Sequence, residues 1–382
     1  MFSQCDSYYE RIVAHRRYLH EHPEVSYKEF ETQKYIISTL EEIGVPYKTF
    51  EGNCAVLAIV KGHAPGKTLA FRADIDALAI TEENTFSYRS KNEGAMHACG
   101  HDGHTAVLLA FGELLNKNKD KFGGEVRLIF QHAEEVGPGG AVELIKAGVL
   151  DGVDIIYGAH TNVVVLDAGQ AGYVEGPPYA AADKFELEFV GKGGPANRPH
   201  LTEDPILAAS HAVVSLQSIV ARNIDPLESA VVSVCVFNSG SLTNVFPTSA
   251  KLRGTIRTFD ENIRQFIKKR VGEVAKASSD MHGTELRYTH LQGYPVLVNN
   301  ADVVRQVKEK AQENGIEMVK MEKSLGAEDF AYYAQKVPAG YFFMGCKTEN
   351  QMPEHSPKHD IDERGLLTGL KLFVSCLQCH CK

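Results

Sequence analysis

The spacing of hydrophobic residues at the start of the chain is helical. In residues 8–25 and again in 26–44, apolar positions recur three and four residues apart, which predicts two amphipathic helices. Ser26 and Glu29 have the spacing of a capping box for the second helix, and Gly44 is expected to end it.

Short apolar runs then alternate with helical spacing. Strands are predicted at residues 55–60, 68–75, 125–130 and 154–160. Between them, residues 104–115 form a predicted helix whose apolar side chains share one face. Alternating strands and helices are typical of an α/β sheet.

After residue 180 the pattern changes to half-solvated strands. Phe185, Leu187 and Phe189 alternate with polar residues, and a helix capped by Asp204 follows. Two more alternating strands and another helix complete a β-α-β-β-α block. The predicted fold is therefore an α/β domain, residues 1–180 plus 290–382, interrupted by an inserted α+β domain at residues 181–289.

Length and composition restrict the class of protein. The chain has 382 residues, enough for two domains, and its 43% hydrophobic content is typical of globular proteins. Its net charge of −9, without a basic stripe, argues against a nucleic-acid partner. No apolar run reaches membrane-spanning length and the start lacks a signal peptide, so we expect no membrane partner and a cytoplasmic location. In that location the eight scattered cysteines favour free thiols over a disulfide framework.

Several polar residues lie at or shortly after the ends of predicted strands. Asp74, the adjacent pair Glu134 and Glu135, and His160 all come at the carboxyl ends of apolar runs. Because ligands bind beyond these ends in α/β sheets, the residues are expected to share one site. Adjacent strand residues point to opposite sides, so one glutamate is expected to bind metal and the other to face an attacking water.

Metal-ligating residue types surround these strand ends. Cys99 and His101 lie two residues apart in a glycine-punctuated loop, and His355 lies far downstream. One thiolate, two or three imidazoles and two carboxylates are what a two-metal hydrolase requires. Such ligands admit zinc, manganese, cobalt or nickel. His104 also has ligand spacing, but we interpret it as a supporting residue or part of a helix start.

Six sequence motifs together identify a resemblance that covers almost the whole chain. In order they are RRYLHEHPEVSYKEFET, RADIDAL, MHACGHDGHTA, HAEE, GAEDFAYY and HSPKHDIDE. The chain resembles the di-metal aminoacylase/carboxypeptidase amidohydrolases, a group that includes hippurate hydrolases, N-acetyl-amino-acid deacetylases and auxin-conjugate hydrolases. The resemblance implies a di-metal peptidase-like catalytic domain with an inserted ferredoxin-like lid or dimerisation domain, and a homodimer or higher homo-oligomer.

The resemblance also implies roles for individual residues and a reaction. Glu134 would be the general base and acid of a metal-dependent hydrolysis that splits an N-acyl amino acid, or a related small amide, into a carboxylic acid and an amino acid. Asp74 is expected to support metal-bound imidazoles, as is Asp76. The implied ligands of two divalent ions are Cys99, His101, Glu135, His160 and His355. The implied substrate-binding residues are Asn244, Arg257 and Gly326.

One departure from the family pattern leaves alternatives open. Where the family carries a histidine that stabilises the oxyanion, this chain has Pro195, which offers no donor. Asn197, Arg198 or His200 would be substitute donors. The alternatives are a metallo-carboxypeptidase or dipeptidase, and a weakly active homologue with a binding role.

The last residues form a Cys/His cluster. Cys376, Cys379, His380 and Cys381 would suit a soft-metal or redox site, but a short tail cannot easily supply four ligands to one ion. We therefore expect a disordered terminus with free thiols.

Overall fold

A computed structural model describes residues 1–381. In it the chain folds into two compact units. The first unit consists of Met1–Pro178, Val298–Lys323 and the residues from Asp329 onward. The second consists of Tyr179–Leu297 and Ser324–Glu328. The second unit therefore lies within the sequence of the first, which makes the first discontinuous.

The strands and helices have the following bounds. The strands are β1 (Tyr47–Thr49), β2 (Val56–Lys61), β3 (Ala64–Asp74), β4 (Gly123–Gln131), β5 (Ile155–Asn162), β6 (Gln170–Tyr173), β7 (Ala181–Val190), β8 (Gly194–Pro195), β9 (Ala230–Ser239), β10 (Val245–Phe246), β11 (Ser249–Thr258), β12 (Glu285–Leu291), β13 (Glu317–Lys320) and β14 (Ala339–Gly345). The α-helices are α1 (Tyr9–Glu21), α2 (Phe30–Glu42), α3 (His101–Lys117), α4 (Gly140–Lys146), α5 (Pro205–Asn223), α6 (Glu261–Met281), α7 (Ala301–Glu313), α8 (Ala331–Ala334) and α9 (Arg364–Gln378). Short 3₁₀ helices occur at Phe2–Tyr8, Lys119–Lys121 and Pro199–Leu201. Among the described residues, no helix has both the length and the apolar character needed to cross a bilayer.

An eight-stranded sheet forms the first unit, in the order β1-β2-β4-β3-β5-β14-β6-β13. The neighbours β4, β3, β5 and β14 are parallel, so their carboxyl ends lie at one edge. Buried parallel strands require nearly continuous apolar sequence, and β5 and β14 are almost entirely buried. The four strands predicted between residues 55 and 160 are confirmed as β2, β3, β4 and β5.

Aromatic packing joins the sheet to the two central helices. The Phe71 ring on β3 lies 4.7 Å from Phe111 on α3, 5.1 Å from Tyr157 on β5 and 5.2 Å from Phe373 on α9, measured between ring centroids. The apolar face predicted for residues 104–115 is buried in this core. Helix α3 is thus fixed with its first residue, His101, at the sheet edge where the parallel strands end.

The second unit is a four-stranded antiparallel sheet with strand order β12-β7-β11-β9, packed against α5 and α6. Phe185, Leu187 and Phe189 point into this core, as their alternation predicts. The complete order is β-α-β-β-α-β, which confirms the ferredoxin-like α+β prediction. The final strand, β12, was not predicted because its alternate residues are only half buried.

The units divide the chain differently from the predicted boundaries in three places, the smallest being Tyr179 and Ala180, which group with the second unit although the first was predicted to extend to residue 180. Residues 290–297 group with the second unit, since β12 continues to Leu291 and Ala182 N–H then donates to the Tyr294 carbonyl, 3.0 Å away. Residues 324–328 join the same unit through Ala180, whose N–H donates to the Gly326 carbonyl at 3.0 Å. The prediction had assigned both segments to the discontinuous domain.

The predicted capping box is wrong. Helix α2 begins at Phe30 with Glu29 at the N-cap position, but neither Ser26 nor Glu29 caps it with a side chain. The Ser26 hydroxyl donates to Asp76 Oδ2 at 2.6 Å, and the Glu29 carboxylate accepts from the distant Ala133 N–H at 2.8 Å. Long-range partners have replaced the local ones.

The C-terminal cysteine cluster is ordered, contrary to the prediction. Helix α9 includes Cys376, which is fully buried, and His380 Nε2 lies 2.7 Å from the Tyr157 hydroxyl. Within residues 1–381, this end contributes no group of three converging His, Cys, Asp or Glu donors. The cluster is part of the core of the first unit.

A buried ion pair should stabilise the second unit. Arg264 donates to both carboxylate oxygens of Asp183, at 2.6 and 2.8 Å, and both side chains are at most 2% exposed. We expect Asp183→Ala to lower the free energy of unfolding by about 3–5 kcal/mol, because it removes the bidentate partner of a buried guanidinium and leaves it only the exposed Glu261 carboxylate and the Gly293 carbonyl. Chemical denaturation of the purified variant would measure this change.

The exposed cross-strand pair of Arg253 and Glu186 provides the control, and Glu186→Ala should cost less than about 1 kcal/mol. Burial alone would raise the pKa of Asp183, but Arg264 and the Gly293 N–H hold it below its usual value. The stabilisation is therefore present above the ordinary aspartate pKa of about 4 and is lost as pH falls through the lower folded-state value. Equal costs for Asp183→Ala and Glu186→Ala at neutral pH would contradict the expectation.

Candidate metal centre

The carboxyl ends of the parallel strands bring the chemically active residues together. Asp74 ends β3, Glu134 and Glu135 follow β4, and His160 lies near the end of β5. His101 is the first residue of α3, and His355 lies between β14 and α9. Because the strands are adjacent and parallel, residues distant in sequence meet at one edge.

The Cys99 loop can approach β5 closely only because Gly100 follows it. Gly100 is the N-cap of α3 and has φ of +81°, a conformation that residues with a Cβ rarely adopt. A Cβ at this position would also lie 2.3 Å from Thr161 Oγ1. This glycine therefore allows Cys99 and His101 to face His160.

Two groups of potential ligands share the Cys99 thiol. The ligand atoms of Cys99, His101 and His160 lie within 4.8 Å of one another, as do those of Cys99, Glu135 and His355. Cys99 Sγ is 3.5 Å from His160 Nε2, and Glu135 Oε1 is 3.4 Å from His355 Nε2. The five residues that the resemblance implies as ligands are thus assembled in one place.

Unsatisfied buried atoms show that this donor set fits a metal. Among residues 1–381, His101 Nε2 and Glu135 Oε1 are buried without a hydrogen-bond partner, although they lie 3.8 Å apart. His101 Nδ1 is 3.0 Å from the Asp76 carbonyl, which leaves Nε2 as the available nitrogen. Unpartnered buried polar atoms are costly, and coordination of a cation would satisfy both.

The electrostatics of the site also require positive charge. Burial, together with Glu135 and Glu134, raises the pKa of the Cys99 thiol well above its usual value. Burial would lower the pKa of His101, but Asp74, Asp76 and Glu135 raise it to about 10. Protons therefore neutralise part of the acidic cluster, and a bound cation would replace them and favour the thiolate.

His104 belongs to a further group of converging potential ligands, with Asp74 and His101, but both of its ring nitrogens already contact protein groups. Its Nδ1 donates to Asp74 Oδ1 at 2.5 Å, and its Nε2 accepts the Thr161 N–H at 2.9 Å. Burial lowers the pKa of His104 to about 4, so the ring is neutral at pH 7. Both ring nitrogens are engaged, which connects the end of β3 to β5 beside His160.

The expectation that Glu134 and Glu135 point to opposite sides is wrong. Each has a carboxylate oxygen within 4.8 Å of the same His101 nitrogen and of the other glutamate. Strand β4 ends at Gln131, and Ala133 has φ of +51°, so the pair lies beyond the extended backbone. Glu134 is only 7% exposed, and its Oε1 accepts the Asp329 N–H at 3.4 Å.

Arg72 is a supporting residue that sequence reasoning missed. Its guanidinium donates to Asp74 Oδ2 at 2.6 Å, to Asp329 Oδ1 at 2.6 Å and to Gln131 Oε1 at 2.9 Å. Burial would raise the pKa of Asp74, but His101, His104 and Arg72 hold it well below its usual range. A charged residue in the apolar run that forms the buried half of β3 was the signal that could have identified Arg72.

The remaining predicted residues lie in the second unit. Asn244 is exposed, and its carbonyl accepts the Ala196 N–H at 3.0 Å. Gly326 is also exposed. Arg257, on β11, is half-buried, and its side chain makes no hydrogen bond or ion pair with other residues among 1–381. Pro195, on β8, pairs with Val245 of β10 and is exposed.

Comparisons with known proteins agree with this geometry. The sequence model of peptidase family M20/M25/M40 matches residues 70–378. The chain is 43% identical over 288 residues to an N-acyl-L-amino acid amidohydrolase of Geobacillus stearothermophilus, covering 75% of this chain and 78% of that protein. It is 40% identical to thermostable carboxypeptidase 2 of Saccharolobus solfataricus, covering 94% and 92% of the two chains. A crystal structure of a dinuclear metal-binding M20 peptidase from Bacillus subtilis superposes with a TM-score of 0.86 at 35% identity, covering 97% of this chain and 98% of that chain.

Loss of the shared thiol should weaken metal binding. We expect Cys99→Ala to lower the affinity for divalent metal by more than the roughly 10- to 100-fold that loss of an outer partner costs. Titration with Zn²⁺ or Mn²⁺, combined with elemental analysis of dialysed protein, would measure affinity and stoichiometry. Cys346→Ala, at another buried cysteine, is the control and should retain the metal content of the unmodified protein. Equal metal content in the two variants would exclude Cys99 as a ligand.

Proposed function

Because this chain belongs to peptidase family M20/M25/M40, we propose that it hydrolyses the amide bond of N-acyl amino acids with two divalent metal ions. The observation that carries the proposal is the pair of ligand groups sharing Cys99, with Glu134 beside them. The similarity to an N-acyl-L-amino acid amidohydrolase supports the choice of substrate class. The products would be a carboxylic acid and a free amino acid.

We propose Cys99, His101, Glu135, His160 and His355 as the metal ligands. The thiol belongs to both ligand groups, which supports a site for two ions rather than one. The mixture of sulfur, nitrogen and oxygen donors is compatible with zinc, manganese, cobalt or nickel. Two bound divalent cations would polarise the amide carbonyl and make water more acidic.

Glu134 is the proposed general base and acid. Its carboxylate is nearly buried and lies with His101 and Glu135, next to both ligand groups. It would accept a proton from water while the water oxygen attacks the amide carbon, and then donate that proton to the amine nitrogen as the C–N bond breaks. Water supplies the oxygen of the acid and the proton of the amine.

Outer contacts orient the proposed ligands for this reaction. The Asp76 carbonyl lies 3.0 Å from His101 Nδ1, and the Thr161 carbonyl lies 2.7 Å from His160 Nδ1. Each contact directs the other ring nitrogen, Nε2, toward the site. Asp74 Oδ2 lies 3.7 Å from His101 Nε2, and His104 and Arg72 hold this carboxylate in turn.

Arg257 is the strongest of the proposed substrate-binding residues. Its side chain forms no ion pair within 4.0 Å among residues 1–381, and burial lowers the pKa of its guanidinium against the opposing effect of the more distant Asp183. An α-carboxylate would supply the missing bidentate partner. We propose Asn244 and Gly326 as further polar contacts, on the basis of the family resemblance alone.

We propose that the first unit is the catalytic domain and that the second is a lid and dimerisation domain. Strands β9 and β12 are the edges of the second unit's sheet, and an unpaired edge can pair with a second copy in a homodimer. A cytoplasmic location is supported by eight free cysteines, most of which are buried.

Two alternative functions have specific observations in their favour. The similarity to a carboxypeptidase favours cleavage of peptides or dipeptides at the same centre. Pro195, in place of the family's oxyanion histidine, favours a weakly active homologue with a binding role. The complete donor set and Glu134 favour catalysis over binding alone.

An assay of metal-reconstituted protein would test the proposal. The substrates are a panel of N-acetyl- and N-benzoyl-amino acids, with dipeptides and N-blocked peptides in parallel, and release of primary amine is measured. We expect turnover of the acyl amino acids, and Glu134→Gln should lower kcat by about 100- to 10,000-fold because the proton transfer is lost.

Glu125→Gln is the matched control, since Glu125 lies at the opposite end of the strand that leads to Glu134. This variant should retain full activity. Faster cleavage of peptides than of acyl amino acids would establish the peptidase alternative. The absence of turnover from protein that binds two metals per chain would contradict the proposal and favour a binding role.

A further inference from the structure

Glu29 makes contacts that no catalytic or ligand role explains. It is fully buried, and its Oε1 accepts the N–H groups of Tyr27 at 3.0 Å and of Ala133 at 2.8 Å. The second contact joins the turn before α2 to a residue 104 positions away. Ala133 immediately precedes Glu134, the proposed general base.

Both residues that bind Glu29 Oε1 have strained backbones. Among residues 1–381, the non-glycine residues with positive φ are Tyr27 at 66°, Ala133 at 51°, Gln351 at 45° and His355 at 66°. Side chains with a Cβ disfavour this left-handed region, so surrounding contacts must hold it. A single carboxylate oxygen thus fixes two of the four positions.

We propose that Glu29 is a positioning residue that holds Ala133 in the left-handed conformation and thereby directs the Glu134 carboxylate; the inference rests on the proposed role of Glu134. The side-chain direction at residue 134 depends on the dihedral angles of residue 133. If Ala133 relaxed to extended backbone, the chain would leave β4 along a different path and carry Glu134 with it.

Separate contacts hold the neighbouring ligand, Glu135. Its N–H donates to Asp76 Oδ2 at 3.0 Å, and the Ser26 hydroxyl donates to the same oxygen at 2.6 Å. The Ala133 carbonyl accepts the Gly140 N–H at 3.2 Å, while its own N–H is held by Glu29. Loss of Glu29 should therefore displace Glu134 while Glu135 continues to bind metal.

The proposed role requires an acceptor oxygen and not a charge. Burial and the nearby Asp76 raise the pKa of Glu29 to about 7, so the group is partly neutral near physiological pH. A glutamine keeps an oxygen at Oε1 and can accept both N–H groups. Alanine offers no acceptor, and aspartate retains the charge on a side chain that is one methylene shorter.

Three variants, Glu29→Ala, Glu29→Asp and Glu29→Gln, would test the proposal in the metal-loaded full chain. We expect Glu29→Ala and Glu29→Asp to lower kcat by about 10- to 100-fold, since a displacement near 1 Å can cost this much. KM and the content of two metals per chain should stay within about 2-fold of the wild type. Glu29→Gln should restore kcat to within about 3-fold. Glu29→Asp keeps the test available if Glu29→Ala does not fold.

Glu113→Ala is the matched control, because Glu113 is a buried carboxylate on α3 paired with Arg11 and Lys117. It should lower the melting temperature without changing kcat. Wild-type kcat in both Glu29→Ala and Glu29→Asp would overturn the inference, as would a Glu29→Gln variant no more active than Glu29→Ala.

Crystal structures of the wild type, Glu29→Asp and Glu29→Gln provide a readout independent of turnover. We expect Ala133 to leave the left-handed region in Glu29→Asp and to remain there in Glu29→Gln. An unmoved Ala133 in Glu29→Asp would refute the positioning role. An inactive wild type would refute the proposed function alone, and the structures would still decide the role of Glu29.

Discussion

The Arg72 guanidinium connects the segments on which the metal centre depends. It binds Asp74 at the end of β3, Gln131 at the end of β4 and Asp329 before α8, all within 2.9 Å. A buried cation is tolerated here because several acceptors surround it. Asp74 in turn binds His104, which accepts a backbone N–H of β5. Hydrogen bonds therefore connect the ends of β3, β4 and β5 beside the proposed ligands. The positions of those ligands depend on the positions of these strand ends.

Four carboxylates lie close together at the same edge of the sheet. Asp74, Asp76, Glu134 and Glu135 are all buried or nearly so, and His101 is raised to a pKa of about 10 by the acids around it. Cations that bind here would displace protons from His101 and from the Cys99 thiol, because both must be deprotonated to act as ligands. The clustered carboxylates therefore favour the binding of metal cations. Arg72 holds one of these carboxylates, Asp74, in its position.

The sequence predicted the location of the site better than its internal geometry. Apolar runs ending in Asp74, Glu134 and His160 indicated a common sheet edge, since that conclusion needs only strand direction. The arrangement of Glu134 and Glu135 was not predictable, because alanine gives no sign that residue 133 adopts a left-handed conformation.

The motif of Ser26 and Glu29 failed as a prediction for a related reason. Its residue types satisfied a local rule, but Ser26 binds a residue 50 positions away, and Glu29 binds one 104 positions away besides its neighbour Tyr27. Local patterns predict local partners only when nothing in the tertiary structure competes for the same groups. Here the Glu29 carboxylate and the Ser26 hydroxyl form hydrogen bonds with residues of the buried site instead of capping the helix.

Strand β12 was not predicted because its alternate residues are half-buried, so the contrast in polarity between its two faces is weak.

Pro195 is the one residue in the sequence that opposes an active enzyme, and its effect can be weighed against the rest. Loss of one oxyanion donor costs about 100- to 1000-fold in known cases, which slows a reaction without abolishing it. Loss of a general base costs as much or more, and Glu134, the residue proposed for that role, is intact beside the complete donor set. Pro195 is exposed at the end of a two-residue strand, next to the exposed donors Asn197, Arg198 and His200. The balance therefore favours a hydrolase over a homologue with a binding role alone.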